Sequence, residues 1–226
     1  HIHVCRVLGK VREGADAVAR MQNLACNSEW QRELLYAKSL VAVVPFWVQA
    51  GEYEQALALE QEALQFSRKG KSPIAAPLNM MLYCTQLTLL VIKEKYSKTN
   101  DWFMLINSVA KVPETMFYRL MGTLIFLIAQ RELGNMAFVS SICRAVQRAL
   151  EDVEIPTEMA NVFLRNIQKT PPSLEEQEFW KTFYAEMGPH FPPEQEWAKF
   201  GFLNLKTWLE SKVQNISLQE AIENAR

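Results

Sequence analysis

Glycine is scarce in this chain, 8 of 226 residues, while leucine, alanine, glutamate, glutamine, methionine and lysine are plentiful. That balance favours helix, because those side chains lose little rotamer freedom there. The four cysteines (Cys5, Cys26, Cys84 and Cys143) lie far apart and form no CxxC pair. Nothing in their spacing asks for a disulfide or a metal site, and they read as reduced thiols packed as small hydrophobes in a cytoplasmic protein. An excess of one charge is also lacking. The formal net charge is -1, which gives no general attraction to nucleic acid or to anionic lipid. Lys93, Lys95 and Lys98 come nearest to a basic patch, and the acids interleaved through the chain argue against nucleic-acid binding. No apolar run approaches the ~20 residues of a membrane span. The longest, Leu120 to Ala129, contains Gly122 and Thr123 and is expected to be a buried helix.

Catalytic spellings are missing too: there is no G-x-S-x-G, P-loop, G-x-G-x-x-G or H-E-x-x-H. Of three histidines, His1 and His3 sit at an end that is expected to be frayed or tag-derived. His190 lies in the turn Gly188-Pro189-His190-Phe191-Pro192 with no readable partner for acid–base work. Glu175, Glu176, Glu178 and Glu186 cluster in sequence, but without the E-x-x-H of a helical di-metal site they read as a solvated face. No enzyme activity, cofactor or metal is expected. The opening His1-Ile2-His3-Val4 has neither an initiator Met nor the build of a signal peptide, so a piece of a longer protein is expected.

Of all residues 49% are hydrophobic and 22% charged, enough to bury a sizeable core in one domain or one repeat array. Helical spacing is expected over Val11–Ala25, then from Ser28, whose hydroxyl can cap the next helix, through Trp30, Leu34, Val41 and Val44 toward Gln49. Pro45 should kink that helix, and the valine-rich run Val41–Val48 leaves a strand as the alternative. Further helices are expected over Tyr53–Lys69, Leu78–Lys95, Trp102–Lys111, Glu114–Leu133, Met136–Glu151, Thr157–Gln168, Ser173–Met187 and Glu194–Lys212. Ser217-Leu218-Gln219-Glu220 spells a capping box that opens a short last one. The expectation is an all-α chain. The aromatic block Trp180, Phe183, Tyr184, Phe191, Trp197, Phe200, Phe202 and Trp208 reads mostly as core, with an exposed subset as a possible interface.

Three turns can be aligned: Gly51-Glu52-Tyr53, Asn100-Asp101-Trp102 and Gly134-Asn135-Met136. Their spacings are 49 and 34 residues (100 − 51 and 134 − 100), and the second is the length of a tetratricopeptide repeat. Leu40, Val43, Trp47, Gly51, Tyr53, Ala56 and Ala63 fall at that repeat's large and small positions, and Leu89, Ile92, Tyr96, Asn100 and Trp102 follow in the second unit. Over about residues 34–150 the chain therefore resembles a tetratricopeptide-like helical repeat protein, and with Arg131-Glu132-Leu133-Gly134-Asn135 it is similar to uncharacterised bacterial proteins of that kind. Val44 and Leu105 depart from the repeat by standing where it prefers small residues.

The resemblance implies a right-handed α-solenoid of antiparallel hairpins. An N-terminal helix or the end of a preceding repeat would occupy residues 1–33, degenerate hairpins 34–155 and a divergent helical part packed on the array 156–226. It also implies an unidentified protein or peptide partner, bound on the concave face by Lys38, Val41, Val48 and Gln49 in the first unit and by Leu90, Glu94 and Lys98 in the second. An effector-sensing regulatory domain is the alternative.

Overall fold

Four helices of the chain end in the same way, and these endings set the architecture. A computed structural model describes residues 5, 10–58, 76–109, 113–151, 158–172, 175–191 and 203–225. Eleven α-helices are delimited among them and no strand occurs among them: α1 (Val11–Gln22), α2 (Glu29–Ala50), α3 (Tyr53–Ala58), α4 (Ala76–Ile92), α5 (Thr99–Ser108), α6 (Pro113–Glu132), α7 (Met136–Glu151), α8 (Glu158–Ile167), α9 (Glu176–Met187), α10 (Leu205–Gln214) and α11 (Leu218–Asn224). The all-α expectation stands. After α2, α4, α6 and α10 a single residue turns left-handed: Gly51 (φ 80°), Glu94 (φ 54°), Gly134 (φ 74°) and Asn215 (φ 55°). Across each of them an amide donates to the carbonyl five residues back: Glu52 to Trp47 (2.8 Å), Lys95 to Leu90 (2.8 Å), Asn135 to Gln130 (2.9 Å) and Ile216 to Ser211 (3.0 Å). This is the Schellman ending, which satisfies carbonyls that the helix leaves without partners.

The second of these endings corrects the sequence alignment. Asn100 is not a turn residue; it lies in the first turn of α5, and the turn is made by Glu94 six residues earlier, followed by a 3-10 turn over Tyr96–Lys98. The three endings then fall 43 and 40 residues apart (94 − 51 and 134 − 94) rather than 49 and 34. A glutamate is a poor choice for a left-handed position, which is why the sequence pointed to the nearby asparagine instead.

Other elements follow their local chemistry. Ser28 Oγ accepts from the Gln31 amide at 3.2 Å, and Ser217 Oγ accepts from the Glu220 amide at 3.1 Å, so both expected N-caps are made. α2 continues as helix through Pro45, which disposes of the strand alternative. Pro77, expected in a loop, is the second residue of α4; there its missing N–H costs nothing, because the first turn of a helix leaves that donor unpaired. The expected helix over Glu194–Lys212 is not continuous: Leu203 and Asn204 are non-helical, and Asn204 Oδ1 accepts from the Lys206 amide at 3.0 Å to start α10 at Leu205. Ser173, Leu174, Trp197, Phe200, Phe202 and the expected helix beyond Ala58 lie outside the described residues.

The middle of the chain forms the centre of the molecule. The most extensive helix contact is between α4 and α6, and each carries a stretch that is buried on every side. Every residue of Leu82–Ile92 and of Met121–Gln130 is buried. α4 also contacts α2, α3 and α5; α6 contacts α5, α7 and α8; α8 contacts α7 and α9; and α9, α10 and α11 follow in sequence. One core cluster runs from Leu40 to Leu218. The division expected between residues 33 and 34 falls inside α2.

The two left-handed positions Gly134 and Glu94 yield a paired prediction. A Cβ at Gly134 would meet nothing within 4 Å, so Gly134→Ala costs only the left-handed backbone penalty, about 1 kcal/mol. Glu94→Gly relieves the same penalty and should stabilise by up to about 1 kcal/mol. Urea denaturation midpoints should move in opposite directions; a shift of the same sign in both would remove the argument.

Candidate functional site

The residues expected to line one groove differ in exposure. Lys38 is exposed on α2, and Val41 is half-buried, packed against the core. Val48 and Gln49 belong to the last turn of α2, their side chains outside the described set. Leu90 is 1% exposed and packs in the central core, so it offers nothing to a partner; this corrects its expected place in a groove. The physical reason is that α4 is surrounded by protein on all sides. Glu94 and Lys98 are exposed beyond its end. Glu94 helps to line a polar cleft of about 380 Å³ with Lys93, Ser217, Gln219, Glu220 and Glu223. Lys93 ties that region together. Its ammonium pairs with Glu54 at 3.2 Å, donates to Gln219 Oε1 at 3.4 Å and stands 5.7 Å from the centre of the Tyr53 ring.

The C-terminal helices are held onto the centre by a second cluster. Arg131, at the end of α6, donates through Nη1 to the carbonyls of Ile167 (2.6 Å) and Lys169 (2.7 Å), which closes the end of α8. The same guanidinium lies 4.6 Å from the Trp180 ring centre and 5.0 Å from that of Phe179. Burial lowers its pKa, countered by Glu132 and Glu176. Beside it Lys212 Nζ meets Glu132 Oε1 at 2.6 Å. Deeper in, the Leu203 amide donates to Thr88 Oγ1 on α4 at 3.2 Å. Trp180, Phe183 and Trp208 are buried and in ring contact with one another, and Phe163 joins Phe183 and Trp208, so these aromatics are core.

Groups that could do chemistry are dispersed or muted. His190 Nδ1 stands 3.6 Å from Glu158 Oε2, and both border a cleft of about 410 Å³ with Met159 and Pro189; among the described lining residues there is no hydroxyl or thiol nucleophile. Glu186 accepts from Asn166 Nδ2 at 2.8 Å and from Arg165 Nη2 at 2.9 Å, and these bonds hold its carboxyl below the ordinary range. Glu175, Glu176 and Glu178 are exposed. Burial pushes the Cys84 thiol far above its usual range and the Cys143 thiol up to about 11. Among the described residues no group of three or more His, Cys, Asp or Glu side chains is placed to hold a metal, and no helix is long and apolar enough to cross a membrane.

A feature that sequence reasoning missed lies on the other side of α6. Phe126, 1% exposed, stacks on Phe103 of α5 at 3.9 Å between ring centres and meets Phe138 of α7 edge-on at 6.1 Å. Phe138 remains 48% exposed and Met104, beside Phe103, 69%. A signal for this was present. The inward stripe of α7 is Val139, Cys143, Val146 and Leu150, spaced i, i+4, i+7 and i+11, and Phe138 falls outside it. Comparison with models of known families, with curated proteins and with solved structures returns no match.

Two predictions follow from the clusters. Arg131→Ala removes two charge-assisted hydrogen bonds and the ring contact and should destabilise by about 2–3 kcal/mol. Arg131→Lys should recover less than half of that loss, because an ammonium cannot stack and fork at once. Equal denaturation midpoints for Arg131→Lys and wild type would refute the stacked geometry. Iodoacetamide at mildly alkaline pH should label Cys26, which is partly exposed, and spare Cys84 and Cys143 in the folded protein; mass spectrometry showing early adducts on Cys84 would contradict its burial.

Proposed function

We propose that the protein is a non-enzymatic binding module for a protein or peptide, built as an irregular right-handed stack of antiparallel helical hairpins that resembles tetratricopeptide repeats. The contact order supports this reading. Taking α2/α3, α4/α5 and α6/α7 as pairs, each first helix touches the next first helix, and each second helix touches the first helix that follows. The Schellman endings recur on the first helix of each pair, where the hairpin turns. In such a stack the first helices line the inner face. Here Thr88 of α4 receives Leu203, and Arg131 of α6 receives Phe179 and Trp180, so the chain's own C-terminal residues cover much of that face.

The observation that carries the binding reading is apolar surface left in water around Phe126: Phe138, in ring contact with it, is 48% exposed, and Met104, next in the chain to its stacking partner Phe103, is 69% exposed. Large apolar side chains left in water are a feature of interaction surfaces. The inner-face set, Lys38 with Val41 and the last turn of α2, is the competing surface. Immobilised full chain should retain a defined set of proteins from a lysate of the organism that encodes it. Met104→Glu with Phe138→Glu should lose that set, and Lys38→Glu should keep it, with circular dichroism unchanged in both. Retention by the double variant together with loss on Lys38→Glu would place binding on the inner face, and no specific retention by wild type would overturn the reading.

A further inference from the structure

The side of α4 that meets the C-terminal helices carries hydroxyls, and those hydroxyls do not depend on the helices that cover them. Met81, Thr85, Thr88 and Ile92 follow at i, i+4, i+7 and i+11, so they share one side. On that side Thr88 Oγ1 accepts from the Leu203 amide at 3.2 Å, and Ile92 borders the polar cleft with Ser217 and Gln219. Thr85 Oγ1 donates to the Met81 carbonyl at 2.7 Å and Thr88 Oγ1 to the Cys84 carbonyl at 2.9 Å, both within α4. If the C-terminal helices moved off, neither hydroxyl would be stranded, and the Leu203 amide would pass to water.

Those helices hold one another first. Among the described helices, α9 packs on α10 and α10 on α11 more extensively than any of the three packs on α4 or α6. Trp208 of α10 meets Trp180 and Phe183 of α9 edge-on. Tyr184 Oη donates to Glu210 Oε1 at 3.0 Å and Gln177 to the Val213 carbonyl, which join the same two helices. The attachment to α4 and α6 adds polar and ionic ties: Leu203 on Thr88, Gln219 with Lys93, Lys212 with Glu132, and Phe179 and Trp180 with the Arg131 guanidinium. Lys93, Lys212 and Glu132 keep part of their side chains in water, so these ties exchange for hydration at low net cost. Leu203 and Leu218 belong to the central core cluster, and their burial keeps the closed form dominant. The pivot is α8, which contacts α6 and α7 on one side and α9 on the other, while Arg131 holds the Ile167 and Lys169 carbonyls.

We propose that α9, α10 and α11 form a cover that opens as one unit about α8, and that a partner reaches the Met81–Ile92 side of α4 only in the open form. The contact is then autoinhibitory, held shut through Thr88, Glu132 and Arg131. Helices that share a core open together, and polar contacts between parts of one chain permit relative motion. The opening is a property of the chain alone; its role in access rests on the binding reading above.

Hydrogen–deuterium exchange of the full chain, followed by mass spectrometry, tests this. Amides of α9 and α10 should share one protection factor, about tenfold or more below those of α4 and α6, with α11 no higher. Thr88→Val removes the acceptor of the Leu203 amide. It should lower the protection of α9 and α10 about tenfold, while α4, which carries the substitution, keeps its own. Lys212→Ala should act in the same direction, and Lys212→Arg, which can still pair with Glu132, should stay near wild type. Circular dichroism checks that each variant folds. Protection of α9 and α10 equal to that of α4 and α6 would overturn the proposal. So would a loss on Thr88→Val that is as large in α4 as in α10. If the helices open in this way but the lysate experiment retains nothing, the binding reading fails and the opening stands. If proteins are retained but the C-terminal helices share the protection of the core, this inference fails alone.

Discussion

α6 can lie against α4 and α5 at the same time because residue 122 has no side chain. A Cβ placed there would stand 2.7 Å from Ile106 Cδ1 and 3.1 Å from Cys84 Sγ, closer than packed carbon and sulfur atoms tolerate. That one close approach sets the level of every other contact along the helix. It lets the Cys84 thiol donate to the Tyr118 carbonyl at 3.2 Å, lets Arg119 reach the end of α5, and brings Phe126 under Phe103. Further along, it delivers Arg131 and Glu132 to the places where α8, α9 and α10 attach. An alanine there would make the end of the Ile106 side chain turn aside and the Cys84 thiol give by a few tenths of an ångström, and a larger residue would have to displace both fully buried side chains.

The centre bears a cost as well as a gain. Gln86 is fully buried on α4 with neither amide atom bonded, and Asn79 Oδ1 is in the same position two turns earlier. An unsatisfied buried polar group costs about 1–3 kcal/mol. Both stand on the side of α4 that carries Leu90, while Thr88, which receives Leu203, is nearly opposite. The apolar residues of Leu82–Ile92 and Met121–Gln130 outweigh this, each buried aliphatic side chain contributing roughly 1.5–3 kcal/mol.

Local features of the fold were legible where one residue type settles the backbone. Gly51 and Gly134 mark left-handed turns because glycine takes that conformation freely, and Ser28 and Ser217 mark helix starts because a hydroxyl can satisfy a free amide. Glu94 was not legible: nothing in its chemistry favours the left-handed region, and its place comes from where Leu90 and Ile92 are buried, which is a tertiary fact. The same holds for the site. Leu90 was assigned to a groove from register alone, and register cannot say whether a helix is free on one side or enclosed. Phe138 could have been found, since it breaks the inward stripe of its own helix, but only if that stripe was drawn first.

In the proposed stack, the inner face is where a ligand would ordinarily lie, and in this chain aromatic and aliphatic residues from α9, α10 and Leu203 already lie there. A side chain that is buried in its own core has no further hydrophobic energy to give to a partner, whatever its type. Binding energy must come from surface still in water, and near the centre of the chain large apolar side chains in water occur on first and second helices alike: Met116 and Phe117 on α6, Met104 on α5 and Phe138 on α7. The polar cleft near Glu94 has its lysine already committed to Glu54 and Gln219. A partner at that cleft would have to break an existing pair to gain one, whereas apolar side chains already in water gain burial without first undoing the fold.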